Sequence, residues 1–462
     1  MMIEHTNRYD RQERITGWKQ DILAKATVAV LGSGALAQTT SAVLAALGIG
    51  NIVLQDATPS VATSPDEFLL PLGASELGKV ESIEGVLQDM NPRSNVISLH
   101  LPINANYLPL LETPNLIFDA TNDLDSKSAV WEYAARKGIH VISCAASAYS
   151  GMLVIDDPSL EELSEFGYYT QENQGILPAL VLGGLAVQEA RKLLMPLDES
   201  PPAHALRYSV LSTERFTAEE STTTLMSAEK KRALVIGAGS LGTPVGIGLA
   251  ALGISYIDYL DSDIVETINL NRQILYYDAV GRQKAEALAE RLTLINPEVR
   301  VRGMVAKLDK HTTYFEKNHP DVIIDCVDNF ASRAFINYYG VHNAIPIVSG
   351  GTNPTSGQVV AYVPGKSQCL DCKLGVDRAL AKELQAHSCT HAPEPSVIMT
   401  NQIIGGMMAG EAYGILSGRY APIRKMIRYD ANVPHRAGLA GSDIPCSCRR
   451  GSMQRWLSRL KT

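Results

Sequence analysis

Gly237-Ala238-Gly239-Ser240-Leu241-Gly242 sets three glycines within one short run, directly after the apolar stretch Ala233-Leu234-Val235-Ile236. Glycines there permit a tight turn and let backbone N–H groups approach phosphate at the start of a helix. Asp261 comes nineteen residues after Gly242, at the end of the next apolar segment, where a carboxylate accepts from ribose hydroxyls. This much suits an NAD-dependent oxidoreductase equally well. The residues that follow are more selective: Asp263, the run Asn269-Leu270-Asn271-Arg272-Gln273, Lys284, and Asp325-Cys326-Val327-Asp328-Asn329. Arg272 and Lys284 bring fixed positive charge suited to a triphosphate, and Asp328 offers a hard oxygen ligand for Mg²⁺. Hydride transfer has no use for that second set, so ATP with Mg²⁺ is the favoured chemistry. The competing view takes Arg272, Lys284 and Asp328 as solvated surface charge and a capping carboxylate.

These residues need a strand, a turn and a helix to position them. Ala233-Leu234-Val235-Ile236 reads as a buried strand, the glycines as the turn, and the chain to Leu252 as the helix, with Tyr256–Leu260 as the next strand. The same order stands earlier in the chain: strand Thr27–Leu31, turn Gly32-Ser33-Gly34, a helix through Leu47, and strand Asn51–Leu54. Whole phrases recur, with Ala46-Leu47-Gly48-Ile49 returning as Ala251-Leu252-Gly253-Ile254, and Asn91-Pro92 as Asn296-Pro297. Leu116-Ile117-Phe118 pairs in this way with Val322-Ile323-Ile324, Val141-Ile142-Ser143 with Ile347-Val348-Ser349, and Gly151 with Gly357. Alternating strands and helices predict an α/β chain of two tandem Rossmann-like, doubly wound domains, residues 1–225 and 226–462, with a polar seam at 217–231.

The motif set of the second copy, with Asn296-Pro297 and Ser349-Gly350-Gly351-Thr352 followed by Gly357, resembles the adenylation domain of ubiquitin-activating (E1) enzymes. It is equally similar to their bacterial relatives that adenylate sulfur-carrier proteins. The resemblance implies adenylation of the C-terminal glycine carboxylate of a ubiquitin-like β-grasp protein, releasing pyrophosphate. It implies that Asp261 holds ribose, that Asn269, Arg272 and Lys284 contact phosphates, and that Asp328 binds Mg²⁺. Gly237, Gly239, Gly242, Asp263, Gln273 and Asn329 complete the implied nucleotide site.

The first copy resembles the same domain in decayed form. Its turn ends in Ala37 instead of a third glycine, Glu67 falls where Arg272 belongs, and Asn122 where Asp328 belongs, although Asp56 and Lys79 persist. A glutamate beside a triphosphate is repulsive, so one working site and one inactive partner are expected, folded as an intramolecular pseudo-dimer. Arg8-Tyr9-Asp10-Arg11-Gln12 has no counterpart in the second copy. It resembles the N-terminal segment of E1 enzymes, whose last arginine reaches across the dimer to the partner's ATP, which casts Arg11 as a catalytic finger. The alternative is an ordinary surface arginine.

Seven cysteines, clustered late, point to thiol or metal chemistry in a reducing compartment, with cytoplasm as the default. Cys369-Leu370-Asp371-Cys372 and Cys446-Ser447-Cys448 together can form a four-thiolate Zn²⁺ site joining a loop to the tail. The second pair is one residue shorter than the family's usual spacing, and His387, His391 or His435 can replace one ligand. Cys389 lies between the pairs. In the resembling enzymes a cysteine in this crossover loop takes the acyl group from AMP, and His387 and His391 can favour its thiolate; a buried or zinc-bound thiol is the alternative. Cys144 and Cys326 read as core.

A net charge of -8 argues against a nucleic-acid or membrane binder, and no apolar run is long enough to span a bilayer or direct export. No large domain is inserted around Cys389, and little chain follows Cys448, so the expectation is a minimal E1-like enzyme. It would form a thioester on Cys389 and pass the acyl group to an E2-like partner, in a bacterial conjugation pathway such as those tied to phage defence. Activation of a sulfur carrier or a peptide without a thioester is the nearest rival, followed by a non-catalytic scaffold. The pseudo-dimer leaves room for a higher oligomer.

Overall fold

The structure is a computed structural model that describes residues 7–59, 61–62, 64–70, 73–74, 78–169, 174–217, 230–308, 318–386, 394–433, 436–446 and 448. In the first half, β1 (Thr27–Leu31), α1 (Ala35–Leu47), β2 (Asn51–Gln55), α2 (Lys79–Met90) and β3 (Asn95–Leu99) lead to β4 (Leu116–Asp119) and α3 (Leu124–Lys137). Then come β5 (His140–Ala146), β6 (Ser150–Ile155), α4 (Ile176–Leu194) and β7 (Ala205–Ser209). The second half repeats the sequence of elements. It runs β8 (Arg232–Ile236), α5 (Gly242–Ala251), β9 (Tyr256–Leu260), α6 (Lys284–Ile295), β10 (Arg300–Met304), β11 (Val322–Asp325) and α7 (Phe330–Asn343). It ends with β12 (Ile347–Thr352), β13 (Ser356–Tyr362), α8 (Ile398–Ser417), β14 (Met426–Asp430) and β15 (Ala437–Ala440).

The sheets have the orders β3-β2-β1-β4-β5-β6-β7 and β10-β9-β8-β11-β12-β13-β14-β15. The first five strands of each are parallel and the rest antiparallel. Each sheet therefore reverses its winding between its first and fourth strands, which opens a crevice at their carboxyl ends. Both glycine turns stand at that crevice. Even register is duplicated: Ala146 faces Gly151 across β5–β6, and Thr352 faces Gly357 across β12–β13. The expected doubly wound pair is thus observed, extended by antiparallel strands at one edge. The expected seam lies mostly outside the described residues.

The halves meet through α4 and α8, which are apolar around nearly their whole circumference and almost entirely buried, as a helix between two layers must be. Small residues bring the two close. A methyl group on Gly184 would stand 2.7 Å from Ile403, and one on Gly406 would stand 2.9 Å from Leu180. The largest apolar cluster consequently runs through both halves. No described helix is long and apolar enough to cross a membrane.

Candidate active site

Gly237 adopts φ +99°, and a Cβ there would lie 2.7 Å from the Cys326 carbonyl oxygen. Only glycine suits that position. The turn is pinned from below by Asp261, whose carboxylate accepts from the Ala238 N–H at 2.6 Å and the Asp263 N–H at 2.7 Å. Burial pushes the Asp261 carboxyl above its ordinary range, while those N–H groups and nearby Lys284 pull it back. Tyr276 adds a hydroxyl donated to the Ala238 carbonyl at 2.5 Å. Gln273 is buried against Gly239, and its Oε1 has no partner among the described residues.

Lys284 is the first residue of α6. A single bridge between Ile264 and Gln283 brings it to Asp263, where its ammonium makes a 3.0 Å ion pair. Asn269 closes a short 3₁₀ turn by accepting the Glu266 N–H. Arg272 is buried just beyond, donating from Nη1 to the Ile268 carbonyl and to Asn271 Oδ1, each at 2.9 Å. Burial and the neighbouring Arg11 cation lower the Arg272 guanidinium to about 10, opposed by the Asp328 carboxylate. Asp328 is exposed at the mouth of the crevice, one residue before Asn329, which caps α7 by accepting the Ser332 N–H at 2.8 Å.

Arg11 belongs to the first half but stands in this cluster, within electrostatic reach of both Arg272 and Asp328. Its carbonyl accepts the Ser396 N–H at 3.0 Å, and its Nε donates to the Glu394 carbonyl. Neighbouring residues hold the segment down: Gln12 Oε1 accepts from Asn271 at 3.1 Å, and Arg8 bridges Asn91 and the Leu270 carbonyl. The structure thus sets Asp261, Asp263, Gln273 and Lys284 around the glycine turn, and brings Arg272 and Asp328 within electrostatic reach of the arginine from the other half.

A residue outside the motifs, Arg333, braces the site. Asp325, at the end of β11, accepts from Arg333 Nε at 2.9 Å and Ser349 Oγ at 2.6 Å. Arg333 also donates to the carbonyls of Val327 and Gly350, so one side chain ties the Asp328 loop to β12. The first half keeps a reduced version: Lys127 donates to Asp119 at 3.0 Å and to the Cys144 carbonyl, with Ser143 at 2.9 Å. Each copy has a basic residue eight positions after the strand-end aspartate, a signal that aligning the copies would have exposed.

The first half's crevice has a different chemistry. Glu67 makes a largely buried ion pair with Lys79, so it cancels the retained lysine, where simple repulsion of phosphate was expected. Gln174 spans the glycine turn, accepting the Leu36 N–H at 3.2 Å and donating to the Ala120 carbonyl at 3.1 Å.

The sulfur atoms of Cys369, Cys372, Cys446 and Cys448 all lie within 4.8 Å of one another. Four thiolates around Zn²⁺ at 2.3 Å would sit about 3.8 Å apart, so the shortened Cys446–Cys448 spacing still converges and the donor set fits the ion. Cys389, His387, His391 and His435 lie outside the described residues. Cys144 is buried and Cys326 half-buried, and burial pushes both thiols up, as core residues require.

The ThiF family pattern matches residues 9–224 and again 214–442. The chain belongs to the ThiF family, and carries its domain twice. Among similar proteins, the SAMP-activating enzyme E1 of Haloferax volcanii is 37% identical over 30% of this chain and 52% of its own length. The molybdopterin-synthase adenylyltransferase of Escherichia coli is 32% identical over 43% of this chain and 79% of its own length. The chain spans about half the length, or less, of several curated relatives it matches. A crystal structure of E. coli MccB with AMPCPP and MccA shares 21% identity at a TM-score of 0.42, covering 47% of this chain and 66% of that one.

Proposed function

We propose that the chain is an E1-like adenylating enzyme that works through one ATP site, in its second half. The observation that carries this reading is the mutual proximity of Arg11, Arg272 and Asp328, in the half whose glycine turn is held by Asp261 with Lys284 close by. Asp261 would accept from the ribose hydroxyls, and the backbone of the turn, with Asn269 and Gln273, would hold the phosphates. A carboxylate oxygen at the C-terminal glycine of a β-grasp protein attacks the α-phosphorus. The bond from that phosphorus to the bridging oxygen breaks, and pyrophosphate leaves with the electron pair. The negative charge that moves to the leaving oxygens is offset by Arg272, Lys284 and Arg11, cations held in place before reaction. Asp328 would hold Mg²⁺, which supplies further positive charge to the phosphates.

Relatives named as an activating enzyme E1 and as sulfur carrier protein adenylyltransferases support a small carrier protein as the substrate class. We assign the conjugation branch: the Cys389 thiolate attacks the adenylate carbonyl, AMP leaves, and the thioester passes to an E2-like enzyme, in a pathway of the phage-defence kind. Incubating the chain with ATP and β-grasp proteins encoded beside its gene tests both levels. ATP–pyrophosphate exchange dependent on that protein supports adenylation. A DTT-sensitive adduct, absent from Cys389→Ala while exchange persists, supports the thioester. Exchange without any adduct in the wild type would favour sulfur-carrier activation instead.

A further inference from the structure

The crevice of the first half holds an open cavity of about 790 Å³. Its phosphate side is closed. Gln174 takes the Leu36 N–H at the start of α1, where an anion would otherwise bind, and Glu67 neutralises Lys79. Asp66 and Asp123 add further carboxylates to the lining, so the cavity repels polyphosphate. Its nucleoside side is intact. Gly32 keeps φ +107° beneath it, with the Ala120 carbonyl 3.0 Å from where a Cβ would be.

Asp56 stands at the end of β2, as Asp261 stands at the end of β9. Its Oδ2 accepts from Ser33 Oγ at 3.0 Å, and its Oδ1 from the Thr58 N–H at 2.6 Å and the Thr58 hydroxyl. A carboxylate has about four acceptor positions, so Oδ2, with one donor, keeps a second, and Asp56 lines the cavity. Ala57, Pro102 and Ile103 also line the cavity, an apolar set suited to the face of a planar base.

We propose that this cavity binds a ribonucleoside without phosphates, its ribose on Asp56 and its base against Pro102 and Ile103. The first half is then a receptor for a small neutral ligand, and ATP is excluded by the Gln174 bridge and the Glu67–Lys79 pair. This assignment is independent of which protein the second half activates.

Equilibrium dialysis of the full chain with labelled adenosine, guanosine, cytidine and uridine tests it, each in saturating non-hydrolysable ATP analogue with Mg²⁺. The expected result is one nucleoside retained per chain for at least one of the four. That retention should be lost in Asp56→Ala and in Ala57→Trp, a substitution at an exposed position that displaces no buried side chain. Both variants should still bind the ATP analogue, which reports a folded chain. Failure of all four nucleosides to bind, displacement of the bound nucleoside by the analogue, or unchanged retention in both variants would overturn the proposal.

Discussion

Arg215, just after the last strand of the first half, makes a fully buried 2.7 Å ion pair with Glu411 on α8 of the second. The mirror contact exists as well: Arg436, just after β14, pairs at 2.9 Å with Glu189 on α4. Both arginines have positive φ, and both donate to nearby carbonyls besides their glutamate. A contact in which each half supplies the arginine once and the glutamate once is the signature of a two-fold interface. Here it has been fused into one polypeptide.

Breaking either pair from one side should destabilise the chain strongly, because the remaining charge stays buried without its partner. Arg215→Ala or Glu411→Ala is expected to cost about 3–5 kcal/mol, as is Glu189→Ala. Urea unfolding monitored by circular dichroism measures this, and a change below about 0.5 kcal/mol, as at an ordinary surface site, would mean the pairs are not a structural lock.

One ATP should bind per chain. Calorimetric titration with ATP–Mg²⁺ should saturate at a single nucleotide, and Arg272→Ala should remove it. Two equivalents in the wild type would mean that Glu67 and Gln174 do not disable the first crevice.

Arg11 should assist chemistry at a site built by the other half. Arg11→Ala is expected to slow substrate-dependent ATP–pyrophosphate exchange by about tenfold or more, the scale of losing a preorganised charge contact. Asp328→Ala should abolish the exchange. Unchanged exchange in Arg11→Ala would leave that guanidinium a purely structural contact to Glu394.

About one zinc per chain is expected by elemental analysis, since four convergent thiolates make a closed structural site. Cys448→Ser, or treatment with a strong chelator, should lower the melting temperature while ATP still binds. A metal-free chain of undiminished stability would refute it.

Much of this was legible in the sequence because it depends on local pattern. Apolar runs followed by glycines gave both crevices, and the repeat gave the pairing of halves. The four cysteines were found by spacing, although only folding decides that Cys446 and Cys448 come within reach of Cys369 and Cys372. What stayed hidden depends on partners distant in the chain. Glu67 looked like a repulsive charge because nothing in its surroundings announces Lys79 as its counter-ion. Gln174 and the Arg215–Glu411 pair are unremarkable until the fold sets them beside the turn and the other half, and Arg333 shows only as a basic position shared by the two copies. Cys389 rests on sequence alone.

The seating of α4 against α8 has a thermodynamic consequence. Two separate subunits joined by such a surface would come apart on dilution, and their stability would depend on concentration. Covalent linkage removes that dependence, so the arginine lent by one half reaches the other at any expression level. It also means that each mutation enters this interface once, where in a homodimer it would enter twice. Selection can then alter Gly184 without touching Gly406, and spoil one crevice while sparing its twin.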